Sequence, residues 1–133
     1  MSIFDGLFRK TRTVKFEKDP PGEWITLETP EGMTDSFDQE DILECIRRIT
    51  EDPDFYLILT LPVATHGIRY VQACECHGIV DVQLAVEKKK HVRLVEKLCS
   101  AQECADIFLH FFDTGEVDDL RTFKPVRFER SQA

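Results

Sequence analysis

Ile79-Val80-Asp81-Val82-Gln83-Leu84-Ala85-Val86-Glu87 is the stretch that decides the fold. Successive side chains of a strand point to opposite faces. Val80, Val82, Leu84 and Val86 therefore share one side of an extended chain, with Asp81, Gln83 and Glu87 on the other. A strand so divided belongs to a sheet with one face on a core and one face toward water. Just upstream, Ile68–Cys76 is a second β-prone run, and His77-Gly78 leaves room only for a tight turn between the two. Downstream, Lys88-Lys89-Lys90 reads as a polar turn into a further strand, Val92–Leu98. Phe55–Leu61 is apolar at nearly every position, as expected of a central strand covered on both faces, or nearly so. Connections this short join antiparallel neighbours, so these four runs form a meander.

A helix is marked on each side of the meander. Asp38 is a suitable N-cap, with Phe37 and Ile42 placed for a hydrophobic staple, and Gln39-Glu40-Asp41 puts acid at the positive end of the helix dipole. Ile42, Cys45, Ile46 and Ile49 then recur as one apolar stripe until Asp52-Pro53. The spacing predicts a helix over residues 38–51. A second is predicted over residues 101–114, opened by the capping box Ser100-x-x-Glu103 and closed by Gly115. Its stripe is Cys104, Ile107, Phe108, Phe111 and Phe112. The fold class is α+β: an antiparallel meander with both helices packed on one face.

The flanks are simpler. Residues 1–18 read as a basic N-terminal tail, with Ile3, Phe4, Leu7 and Phe8 ahead of a run of Arg and Lys, and Asp19-Pro20-Pro21-Gly22 breaks it from a single domain over residues 19–133. That tail could touch a membrane surface only weakly. Glu23–Thr29 is a short β-prone segment ended by Pro30 and a Glu31-Gly32 turn. Thr122–Phe128 is a last one, and Pro125 confines it to an edge.

Composition narrows the function. A chain of 133 residues with 42% hydrophobic and 32% charged side chains is an ordinary one-domain composition, not a disordered one. No apolar run approaches the ~20 residues of a transmembrane helix, and Met1–Lys10 lacks the apolar segment of a secretory signal. Five cysteines, an odd number, read as free buried thiols in a reducing compartment, which places the protein in the cytoplasm. The net charge of −8 is uneven: residues 1–18 carry five basic and two acidic side chains, whereas residues 19–60 carry twelve acidic and two basic. Such a surface repels a phosphate backbone, which argues against nucleic acid, and attracts a basic protein.

No arrangement of catalytic residues stands out, so the expectation is a protein that is not an enzyme and takes no cofactor and no metal. Cys74-Glu75-Cys76-His77 is the one run of metal-ligand types, with both thiols on the same side of a strand, yet no second pair completes four ligands. Asp113, Glu116, Asp118 and Asp119 loosely suggest a cation site but lack the spacing of an EF-hand loop, and read as a solvated acidic loop. No G-x-S-x-G elbow and no phosphate-binding glycine loop is present.

The order of features from Asp38 to Phe128 resembles the small α+β immunity proteins of bacterial polymorphic toxin systems. The features are the acid-capped helix with Ile42, Ile46 and Ile49, the strand Phe55–Leu61, Tyr70-Val71-Gln72 in the next strand, the helix bearing Phe108, Phe111 and Phe112 up to Gly115, and the ending Phe123-Lys124-Pro125-Val126. The resemblance implies a non-catalytic inhibitor that binds a cognate toxin, with a basic toxin domain as the partner. The candidate partner-binding residues are Glu40, Asp41 and Glu44 on the outer side of the first helix, and Asp113, Glu116, Asp118 and Asp119 beyond the second. The water-facing side of the sheet around Asp81, Gln83 and Glu87 is the next choice of surface. A secretion chaperone or other adaptor for a protein client is the alternative function.

Overall fold

The computed structural model describes residues 24–126. The expected basic tail, the Asp19–Gly22 break and the end of the last β-prone segment past Val126 lie outside the described residues. Within them the chain runs β1 (Thr26–Thr29), β2 (Gly32–Thr34), α1 (Gln39–Ile49), β3 (Tyr56–Thr60), β4 (Ile68–Cys76), β5 (Ile79–Lys88), β6 (His91–Cys99), α2 (Ala101–Thr114) and β7 (Lys124–Pro125). All seven strands form one antiparallel sheet in the order β2-β1-β3-β4-β5-β6-β7. β3 to β6 are the meander. The two helices pack on each other and on the same face of its central strands.

The register explains the core. Leu27, Leu59, Val71, Leu84 and Val95 lie side by side across β1, β3, β4, β5 and β6, and Leu57, Ala73 and Val82 form the adjacent row. All eight are buried, against Ile42, Cys45, Ile46 and Ile49 of α1 and Cys104, Phe108 and Phe111 of α2. A one-residue slip would turn each row to the other face, so burial of the rows fixes the pairing.

The local signals form as the residues dictate, with four corrections. First, the turn at Pro30-Glu31 ends β1 as expected, but it leads at Gly32 (φ 138°) into β2, a three-residue edge strand not expected from the sequence. Second, β3 is covered on one face only, since Tyr56, Ile58 and Thr60 lie half-buried on the side away from the helices. Third, the complete capping box is at the other helix. The Asp38 carboxylate accepts the Asp41 N–H, and the Asp41 carboxylate accepts the Asp38 N–H. At Ser100 only half the box exists. Its hydroxyl oxygen accepts the Glu103 N–H, while the Glu103 carboxylate is drawn to Lys97. Fourth, Ile107, expected in the core, packs at its margin, as does Phe112, whose ring meets Phe37 at 5.4 Å between centroids.

Two turns place the functional surfaces. His77 (φ 50°) and Gly78 (φ 90°) make the tight hairpin turn between β4 and β5, and the Glu75 carboxylate accepts the Gly78 N–H. Gly115 (φ 78°) ends α2 in the left-handed conformation, its N–H bonded to the Phe111 carbonyl at 2.8 Å. The Gly115 backbone lies against the β3–β4 loop, so close that an added Cβ would stand 2.9 Å from the Thr65 hydroxyl. That contact brings the loop after α2 beside His66.

Candidate functional sites

The acidic residues expected to bind a partner fall in two groups. On α1, Glu40 is exposed at the first turn. Glu44 faces outward too, but Arg47 bonds to it and to Glu51, and that contact holds the Glu44 carboxyl below the usual glutamate range. Asp41 does not belong to this surface. It is 5% exposed and serves the capping box. Burial raises its carboxyl above the ordinary value, the Asp38 N–H lowers it, and the neighbouring acids Asp38 and Glu40 raise it again. A helix places every fourth residue near one face, and Asp41 sits beside the apolar stripe rather than opposite it.

The second group lies at the end of α2. Asp113, Glu116, Asp118 and Asp119 are all exposed. Asp119 adopts φ 55° and leads into a short 3-10 turn, Leu120–Thr122. The chain reversal at Gly115 carries Glu116 and Asp118 back over the last turns of the helix. There His110 Nε2 lies 3.5 Å from Asp118 Oδ1 and 4.0 Å from Glu116 Oε1, and His66 Nδ1 lies 3.4 Å from Glu116 Oε2. His110 was not singled out from the sequence. Its only signal is a histidine six residues before an acidic loop, on the far side of a helix-terminating glycine. A shallow hollow of about 210 Å³ runs beside it, lined by Lys97, Glu103, Asp106, Ile107, Asp118 and Phe123 among others.

The third place is the sheet face turned away from the helices. Nothing among the described residues covers it. In register across it lie Tyr56, Cys74, Asp81 and Leu98, beside the row Glu28, Ile58, Gln72, Gln83 and Glu96. Ile79, Val92 and Leu98 are 43%, 61% and 53% exposed, whereas Ala85 is closed over by its neighbours Tyr70 and Leu94. Carboxylates sit among these apolar groups. Glu28 is raised above its ordinary value by burial, an effect the Tyr56 hydroxyl opposes at 3.5 Å. Asp81 Oδ2 accepts a bond from Gln83 Nε2 at 3.3 Å, but its Oδ1 is shut from water without a donor. Glu87, the third residue of this alternative surface, pairs with Arg69 at 3.0 Å.

All five thiols are free. Cys45, Cys99 and Cys104 are buried as expected, but Cys74 and Cys76 are only partly covered, because their side of β4 faces the uncovered face of the sheet. Burial pushes the Cys99 thiol up to about 11, and those of Cys45 and Cys104 higher still. Burial, and after it the Asp81 charge, raises Cys74 as well. These are poor nucleophiles at neutral pH. Cys74, Cys76 and His77 do not gather as metal ligands. Among the described residues one group of three does: His110, Glu116 and Asp118, whose ligand atoms all lie within 4.8 Å of one another.

No helix among the described residues is long and apolar enough to cross a membrane. No protein-family model matches the chain, and no curated protein and no solved structure matches it either.

Proposed function

We propose that this chain is a non-catalytic binding domain that presents an acidic surface to a basic protein, in the manner of an immunity protein neutralising a toxin domain. The observation that carries the reading is Asp81 on the uncovered sheet face. A carboxylate oxygen shut from water and given no donor costs on the order of 1–3 kcal/mol, more for a charge. Turning the Asp81 carboxylate outward to an arginine or lysine of a partner laid across the sheet would give that oxygen its donor. Two exposed apolar side chains beside it, Ile79 on the same strand and Leu98 directly opposite on β6, suit the buried centre of such a contact, where apolar anchors surround a few desolvated polar groups. Charge selects the partner. The chain carries −8, and the exposed acids Glu40, Asp113, Glu116, Asp118 and Asp119 extend its field toward a basic surface, which accelerates encounter.

The test uses the full chain and the product of the gene beside its own, the natural candidate for a cognate toxin. Association is followed at low and high salt. The expected result is a complex whose association slows as salt rises, because screening shortens the field to ~10 Å at 0.1 M. Asp81→Arg and Leu98→Glu should each weaken the complex by at least roughly ten-fold, mainly through faster dissociation. Reversal of Glu40, Glu44, Asp118 and Asp119 to lysine should slow association instead. A complex indifferent to both face substitutions sinks the assignment of the sheet face. An association rate indifferent to salt and to the fourfold reversal sinks the electrostatic reading.

A further inference from the structure

The imidazole of His110 stands where α2 ends, and its Nε2 is closed off from water yet forms no hydrogen bond. Two carboxylates of the following loop face that same nitrogen, Asp118 at 3.5 Å and Glu116 at 4.0 Å. Among the described residues neither carboxylate pairs with a lysine or arginine; the basic groups nearest them are the two imidazoles. We propose that His110, Glu116 and Asp118 are the ligands of a divalent transition-metal site of the zinc class.

The geometry suits such an ion. Ligand atoms bonded to one tetrahedral zinc at ~2.0–2.1 Å stand roughly 3.3–3.4 Å from each other. The His110 nitrogen is already within a few tenths of an ångström of that separation from Asp118, and Glu116 requires a shift of about half an ångström. His66 Nδ1 lies 3.4 Å from one oxygen of Glu116, and the other oxygen is the one that faces His110. Outer partners of this kind orient metal ligands. The donor set decides the ion. An imidazole with two carboxylates favours zinc, cobalt or nickel over calcium and magnesium, which prefer oxygen donors alone. Three protein ligands leave a fourth position for water or for a group from a partner. The chain topology gives the site a role: the ion would tie the loop after Gly115 to the helix it leaves.

This inference does not depend on the binding role proposed above. The test is titration of the metal-stripped full chain with Zn²⁺ by calorimetry, and with Co²⁺ by its visible absorption, which reports tetrahedral coordination. One equivalent should bind, with no comparable binding of Ca²⁺ or Mg²⁺. His110→Ala and Asp118→Asn should each weaken Zn²⁺ binding at least ten-fold, and His66→Gln should weaken it less. Asp118 is 83% exposed, so its substitution leaves the metal-free fold and melting curve unchanged and keeps the test clear of unfolding. The double variant Cys74→Ser with Cys76→Ser should bind as the parent does. No stoichiometric binding would overturn the proposal. So would binding that survives His110→Ala and Asp118→Asn together, or binding lost only with the two thiols, which would move the ion to β4.

Discussion

Truncating Phe108 to alanine probes the core at the point where α2 meets the sheet. The ring is fully buried, in one cluster with Phe111, Val82, Leu84 and Val71. Removing it forfeits about 1.5–3 kcal/mol of transfer free energy. A residual cavity on the order of 100 Å³ would add ~2.4 kcal/mol at about 24 cal/mol per Å³. Partial collapse of the helix onto the sheet reduces the second contribution, which leaves an expected loss of about 3–5 kcal/mol. Against an ordinary total of ~5–15 kcal/mol, a loss of that size removes a large share of the stability, and nearly all of it at the lower end of that range. Equilibrium unfolding in urea measures it, provided the slope with denaturant is unchanged so that the midpoint alone reports stability. Ile107→Ala is the control. Its side chain is only partly buried at the edge of the same cluster, so it should lose clearly less than Phe108→Ala. A loss below about 1 kcal/mol for Phe108→Ala would refute the placement of the ring at the centre of the core, since no fully buried phenyl group is that dispensable.

Gly115→Ala should cost about 1–3 kcal/mol by the same unfolding assay, combining the left-handed backbone penalty with the 2.9 Å approach of the new Cβ to Thr65; Gly78→Ala, with φ of 90° but nothing within 4 Å, should show the backbone part alone. Stability should also fall as pH rises above about 9, where an unfolded thiol ionises, toward the raised value of about 11 for Cys99 and beyond it for Cys45 and Cys104. The sign follows from proton binding: in that window the folded state keeps protons that the unfolded state releases, at a slope of up to ~1.4 kcal/mol per pH unit for each thiol. Melting curves between pH 8 and 10.5 check this, and Cys45→Ala with Cys104→Ala should flatten the dependence; an unchanged slope would show those thiols to be accessible. In the native state, Cys74 and Cys76 should be the thiols open to a disulfide reagent, with the other three reacting only on unfolding.

Local chemistry made much of this architecture legible. The alternation in Ile79–Glu87 is a statement about which side chains share a face, so it specified β5 and which of its sides meets the core. Asp38 and Gly115 act within one turn of their own helices, and both caps formed where the residues stand. The errors came where a residue had two partners to choose from. Glu103 could have closed its own capping box, but it turned to Lys97 of β6, a contact between elements that periodicity does not encode. Asp41 looked like surface acid until its carboxylate was claimed by the Asp38 N–H and buried.

The sequence alone determined the antiparallel meander, its two flanking helices and the acidic character of the whole, because patterning, capping and net charge depend on residues close together in the chain. Only the tertiary structure decided that an Asp81 oxygen on the water-facing side of the sheet is left without a donor, and that His66 and His110 meet the loop after Gly115. Those arrangements join groups from different strands, helices and loops, and their distances follow from how the helices settle on the sheet.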